Sequence, residues 1–176
     1  MTTQRHDFDP IPFLVEELPW APRFSLRVRP ERRAALSGAL PLELPPKVGQ
    51  RSTVAGTEVL CLGPDEWTIL PQDAAALTAA SSAAYAQIPH SLVEISDREI
   101  TLRISGAQAL TALTTGCPRD VEAMPVGTGA RTLFDSASVV LWRDDRQAFR
   151  IDVWRSFLPH VRAILDQVMV ELKSGL

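Results

Sequence analysis

The feature that most constrains this chain is an internal repeat: it states one strand, helix, hairpin, helix series twice. Residues 24–28 (FSLRV) alternate as a short strand, Pro30 suits a first helical turn, and Gly38 closes the helix that follows. Residues 101–104 (TLRI) alternate in the same way, Ser105 is a good N-cap, residues 107–115 are helical, and Gly116-Cys117-Pro118 ends the helix. Next come two apolar runs, 59–62 (VLCL) and 67–70 (WTIL), around the turn Gly63-Pro64-Asp65-Glu66. Their counterparts are 139–143 (VVLWR) and 149–153 (FRIDV) around Asp144-Asp145-Arg146-Gln147. A helix is expected after each hairpin, over about 73–86 and 156–173. The step from Phe24 to Thr101 is nearly the step from Trp67 to Phe149, which argues for duplication.

The expected fold is therefore α+β: antiparallel sheets, each with helices packed on one face, built from an internally duplicated unit. The domain organisation read from the repeat is an extended, Pro-rich arm over 1–23 and a single globular domain over 24–176. That domain has two similar halves, about 24–90 and 91–176. Pro10, Pro12, Pro19 and Pro22 forbid a regular helix in the arm, yet Phe8, Ile11, Phe13 and Trp20 call for burial. The arm satisfies both by lying along its own domain or along a partner. The last helix is the plainest element, with Phe157, Val161, Ile164, Leu165, Val168 and Leu172 on one stripe.

Composition narrows function by exclusion. A net charge of −3 with scattered Lys and Arg offers no field for nucleic acid. No apolar run approaches the ~20 residues of a membrane helix. The N-terminal stretch MTTQRHDFDP lacks an apolar signal region, so the cytoplasm is the expected location and Cys61 and Cys117 are expected to be reduced.

A search for chemistry returns little. His6, His90 and His160 are isolated and no G-x-S-x-G elbow is present, so no nucleophilic triad is expected. Cys117 follows the negative end of its helix, which disfavours a thiolate. Asp65-Glu66 and Asp144-Asp145 read as turn residues, no Cys or His spacing suits a metal, and Gly127-Thr128-Gly129 reads as a loop too short for a phosphate cradle. No catalytic, metal-binding or cofactor-binding residue is expected in this chain. Glu94 and Asp97, beside the strand 92–95, are the weak candidates for a polar ligand contact, with surface ion pairing as the other reading. In the strand 149–154, Arg150, Asp152 and Trp154 face away from Phe149, Ile151 and Val153, near Trp142 and Arg143 on the paired strand. Trp20, Trp142, Arg143 and Trp154 are the candidate partner contacts, since Trp and Arg are enriched at binding hot spots. Cover by the chain's own arm or an extra helix is the equal alternative.

These segments also carry a resemblance. Leu62-Gly63-Pro64-Asp65-Glu66-Trp67, Val93-Glu94-Ile95-Ser96-Asp97-Arg98, Leu102-Arg103-Ile104-Ser105-Gly106, Gly116-Cys117-Pro118 and Leu141-Trp142-Arg143 occur in register, and Arg155-Ser156-Phe157 opens the last helix. Together, over about 60–170, they resemble the gamma-subunit family of heterotetrameric sarcosine oxidases. Where that family is expected to carry a CAQT-like segment, this chain has Gly129-Ala130-Arg131-Thr132. The resemblance implies a fold like the folate-binding domain of aminomethyltransferases. It implies a non-catalytic subunit supporting alpha, beta and delta partners, in a complex that oxidises sarcosine to glycine. FAD, FMN, NAD and tetrahydrofolate would sit on those partners, with no cofactor in this chain. The alternative is a stand-alone folate-binding, one-carbon module. A homo-oligomeric scaffold is a third reading.

Overall fold

The computed structural model describes residues 11–174; the arm's Phe8 and Pro10, and His6, lie outside them. Among the described residues the chain runs through ten strands and four α-helices. The first series comprises β1 (Leu14–Glu17), β2 (Phe24–Arg27), α1 (Arg33–Ala39), β3 (Arg51–Val54), β4 (Thr57–Gly63), β5 (Glu66–Leu70) and α2 (Ala74–Ala84). The second comprises β6 (Ser91–Glu94), β7 (Glu99–Ser105), α3 (Ala109–Thr114), β8 (Thr128–Phe134), β9 (Ala137–Asp145), β10 (Ala148–Trp154) and α4 (Leu158–Lys173).

They build two antiparallel five-stranded sheets, ordered β1-β7-β10-β9-β8 and β6-β2-β5-β4-β3. Position by position these are the same sheet, with one exchange. β1, the first strand of the first series, pairs with β7 of the second, and β6 of the second pairs with β2 of the first. Each series thus lends its opening strand to the other's sheet, so a strand is present inside the arm. Its prolines flank β1 and leave Leu14–Glu17 free to donate, and an edge strand tolerates such neighbours.

Local chemistry explains the elements. Ala55 and Gly56 both take positive φ, the geometry of a two-residue hairpin turn joining β3 and β4. Asp73 caps α2, its carboxylate accepting from the Ala76 N–H at 2.9 Å. Gly106, at φ +126°, lets Pro12 and Phe13 pass so closely that a Cβ there would stand 2.9 Å from the Phe13 Cα. Strand alternation then divides the side chains between two faces. Phe24, Leu26, Val59, Cys61, Trp67 and Ile69 pack beneath α1 and α2. Leu102, Ile104, Leu141, Phe149, Ile151 and Val153 pack beneath α3 and α4. The opposite faces of the two sheets meet each other around Leu60, Val140 and Trp142. The sheets also join at their margins, where the Gly129 N–H donates to the Gly49 carbonyl at 3.0 Å and Gln50 bridges Thr128.

Two sequence expectations need revision here. Gly127-Thr128-Gly129 is not a simple loop, since Thr128 and Gly129 open β8. β3 and β8 were not read at all, because neither Arg51–Val54 nor Thr128–Phe134 shows a clean apolar alternation.

Candidate functional site

The chain's polar chemistry is concentrated between the two sheets. Residues whose strand-mates feed the helix-covered cores point inward from both sides, and they form three clusters of guanidinium and carboxylate.

In the first, Asp152 of β10 is almost wholly buried. Its Oδ1 accepts from Arg23 Nη2 at 2.9 Å and from Thr101 Oγ1 at 2.6 Å, and its Oδ2 accepts from Trp142 Nε1 at 2.7 Å. Arg23, also buried, reaches Glu99 at 3.4 Å. In the second, Arg150 grips Asp144 on its own sheet and Glu58 on the other, each at 2.7 Å, while Arg51 bonds Asp144 at 2.7 Å and also contacts Glu58. Both guanidiniums lie over the Trp142 ring, 5.0 and 5.1 Å from its centre. In the third, Arg131 of β8 holds both oxygens of Glu66, at 2.9 and 2.5 Å, and Arg27 adds a 2.9 Å bond to the same carboxylate.

These bonds set the ionisation states. Burial alone would raise the Glu58 and Asp144 carboxyls, but hydrogen bonds from Arg150 and Arg51 and the charges of both outweigh it, and both groups titrate below their ordinary values. The Arg131 hydrogen bonds hold Glu66 low against a smaller effect of burial. A carboxylate depressed in the folded state stabilises fully above its unfolded value and loses that contribution as pH falls through the folded one. The melting temperature should therefore be flat above the ordinary values of 4.5 and 3.8 and fall on further acidification. Circular-dichroism melts from pH 7 to pH 3 check this, and Glu58→Gln should flatten the acid limb.

The structure separates the sequence candidates. Trp142 is fully buried between the sheets and Arg143 is buried among the α3–β8 connection, donating to the Val121 and Glu122 carbonyls at 2.9 and 2.8 Å. Neither lies on the outer surface, so their expected role as partner contacts is corrected. The polar face of β10 is covered at Arg150 by the other half's sheet and at Asp152 by Arg23 at the end of the arm, while Trp154 stays exposed. Trp20 and Trp154 are exposed, at 64% and 45%. They flank one turn: Trp20 Nε1 donates to Asp97 Oδ1 at 3.3 Å, Arg155 Nε donates to the Asp97 carbonyl at 3.2 Å, and Arg98 stacks on Trp154 at 5.4 Å. Asp97 is thus a surface hydrogen-bond acceptor, and Glu94 accepts from Ser96 Oγ at 2.8 Å. The two do not converge on a common cavity.

Other candidates are also placed. His160 bonds Asp135 at 2.8 Å on the exposed surface, and His90 lies between Ser81 Oγ and the Ile88 carbonyl. Cys61 and Cys117 are buried free thiols, and burial pushes the Cys61 thiol up. Among the described residues, no group of three or more His, Cys, Asp or Glu is placed to hold a metal, and no helix is long and apolar enough to cross a membrane. Arg23, Arg51, Glu58 and Arg131 were missed as a group. For Arg51, Glu58 and Arg131 the signal is a charge at the inward position of a strand, legible only when the two faces are known to meet, and Arg23 directly precedes β2.

The architecture defines a class first: a duplicated α+β domain with two back-to-back antiparallel sheets. The same fold occurs in aminomethyltransferase T of the glycine cleavage system from Bartonella henselae. That match has a TM-score of 0.67 at 15% identity, over 87% of this chain and 45% of that one. Within the class the assignment is specific. Residues 27–171 match the "Sarcosine oxidase, gamma subunit family", and the chain belongs to it. It is 30% identical to sarcosine oxidase subunit gamma of Corynebacterium sp. (strain U-96), over 92% of this chain and 81% of that protein. It is 34% identical to the subunit gamma of Corynebacterium sp. (strain P-1), over 80% and 71% respectively. A chain of the heterotetrameric sarcosine oxidase from Corynebacterium sp. U-96 superimposes with a TM-score of 0.83 at 30% identity, over 92% of this chain and 85% of that chain.

Proposed function

We propose that the protein is the gamma subunit of a heterotetrameric sarcosine oxidase, in which it supports the chains that carry the cofactors. The observation that carries this reading is the family match over 27–171 together with the superposition on a chain of a heterotetramer. The chain's own charged groups are paired across its two sheets, which supports a role in building a rigid body and not in turning over substrate. On this reading FAD, FMN, NAD and tetrahydrofolate reside on alpha, beta and delta partners, and the complex works in the cytoplasm on sarcosine.

Trp20 and Trp154 are the candidate anchors for those partners. Each is exposed yet held by a neighbour, Trp20 by Asp97 and Trp154 by Arg98. A tethered aromatic loses little side-chain freedom on docking, which favours hot-spot behaviour. Co-expression of the tagged chain with the alpha, beta and delta chains of a heterotetrameric sarcosine oxidase tests the proposal. The wild-type chain should recover a yellow complex. The double variant Trp20→Ala/Trp154→Ala should melt within a few degrees of wild type and yet lose most of the recovered partner, since each hot-spot truncation costs about 2 kcal/mol or more. A colourless, solitary chain stabilised by tetrahydrofolate would instead establish the one-carbon module.

A further inference from the structure

The Asp152 and Glu66 clusters border a cleft of about 310 Å3 between the sheets, at the lower end of the ~300–1,000 Å3 typical of small-molecule sites. Its charge is sorted by depth. The carboxylates are withdrawn into the wall, with side-chain exposures of 1% for Asp152, 7% for Glu99 and 11% for Glu66. The guanidiniums of Arg27, Arg98 and Arg131 stand out toward solvent, at 53%, 45% and 44%. Arg98 gives one N–H to Glu99 and Arg131 gives two to Glu66, of the five each carries. Both guanidiniums are thus fixed in place by buried carboxylates while their exposed portions line an open cleft. Trp154 forms part of the same lining, with Arg98 stacked on it. Ser25 adds a small, part-buried hydroxyl side chain from β2.

We infer that this cleft binds a small molecule through an oxyanion, a carboxylate or a phosphate, held between Arg98 and Arg131 with Trp154 against its body. Guanidinium forks suit both oxyanions, and pairing to buried carboxylates orients the forks before a ligand arrives. Every residue in the site belongs to this chain, so it is testable on the chain alone; Trp154 is shared with the proposed partner surface, and a docked partner would border the cleft.

The test is calorimetric titration of the full chain with sodium succinate and with inorganic phosphate, at low ionic strength and with sodium chloride as control. Saturable binding of either probe but not of chloride supports the site, and the probe that binds names the oxyanion. Arg98→Gln and Arg131→Gln should each weaken it about tenfold or more, because a charge-assisted hydrogen bond contributes roughly 1.5–3 kcal/mol. Arg131→Gln also loosens Glu66, so Ser25→Leu is the second variant. It leaves all the ion pairs in place, fills the cleft, and should abolish binding with a near-native melt. Absence of saturable binding by both probes overturns the inference, and so does binding that survives Arg98→Gln and Ser25→Leu undiminished. Success or failure here is independent of the co-expression result, which reads partner recovery alone.

Discussion

Asp152→Ala should be among the most destabilising single substitutions in this protein, lowering stability by about 3–5 kcal/mol. The side chain is small and the cavity it leaves is modest. The cost comes from what it abandons. Arg23 would remain buried with only the longer 3.4 Å contact to Glu99 and the Thr101 hydroxyl, and the Trp142 indole N–H would lose its acceptor in the interior. For a chain of this size such a loss lowers the melting temperature by roughly 10 °C. Asp152→Asn keeps the shape and one acceptor oxygen, so it should cost clearly less while still leaving the Arg23 charge poorly compensated. Denaturant midpoints for the two variants check the ordering. A drop below 1 kcal/mol for Asp152→Ala would mean that water replaces the carboxylate and that the layer between the sheets is wet.

The second large effect is expected at Gly129, where the two sheets are in direct contact. A Cβ at this position would stand 2.7 Å from the Leu60 Cδ2 and 2.8 Å from the Leu141 carbonyl oxygen. Leu60 belongs to β4 of one sheet and Leu141 to β9 of the other, so the added methyl is caught between them. The leucine can rotate but the carbonyl belongs to the β8–β9 ladder, in which Gly129 itself opposes Trp142. Gly129→Ala should therefore cost about 1–3 kcal/mol by overpacking, and Gly129→Val more. The stronger reading comes from pairing it with Leu60→Ala, which removes one of the two clashing groups. If the pair is partly compensated in a double-mutant cycle, the strain lies between the sheets; simple additivity would place it in the β8–β9 ladder alone.

These two sites show where sequence reading stops. The repeat, the two hairpins and the stripe of α4 were legible because each follows from contacts within a few residues. Glu66, Asp144 and Asp145, expected in turns, instead lie in β5 and β9, and the turns are Pro64-Asp65 and Arg146-Gln147. The alternation of β10 was read correctly too: Phe149, Ile151 and Val153 do enter a core under helices, and Arg150 and Asp152 do face the other way. What that other way meets was misjudged for Trp142, whereas Arg143 faces the helix side and is buried against the α3–β8 connection. A tryptophan among charged residues looks like a surface awaiting a partner, and here the partner is the second copy of the same unit. Trp142 carries two guanidiniums over its ring because Arg51 comes from a distant strand of the other sheet.

The sequence by itself determined the duplication, the α+β class and the family, because periodicity, turn chemistry and motif spacing are local properties of the chain. The tertiary structure alone decided that β1 and β6 exchange sheets, that the inner faces neutralise one another through Arg–carboxylate clusters, and that Trp20 and Trp154, not Trp142, reach solvent. The physical reason is that an ion pair or a buried indole is defined by what stands opposite it. In this fold what stands opposite can lie 129 residues away along the chain, as between Arg23 and Asp152.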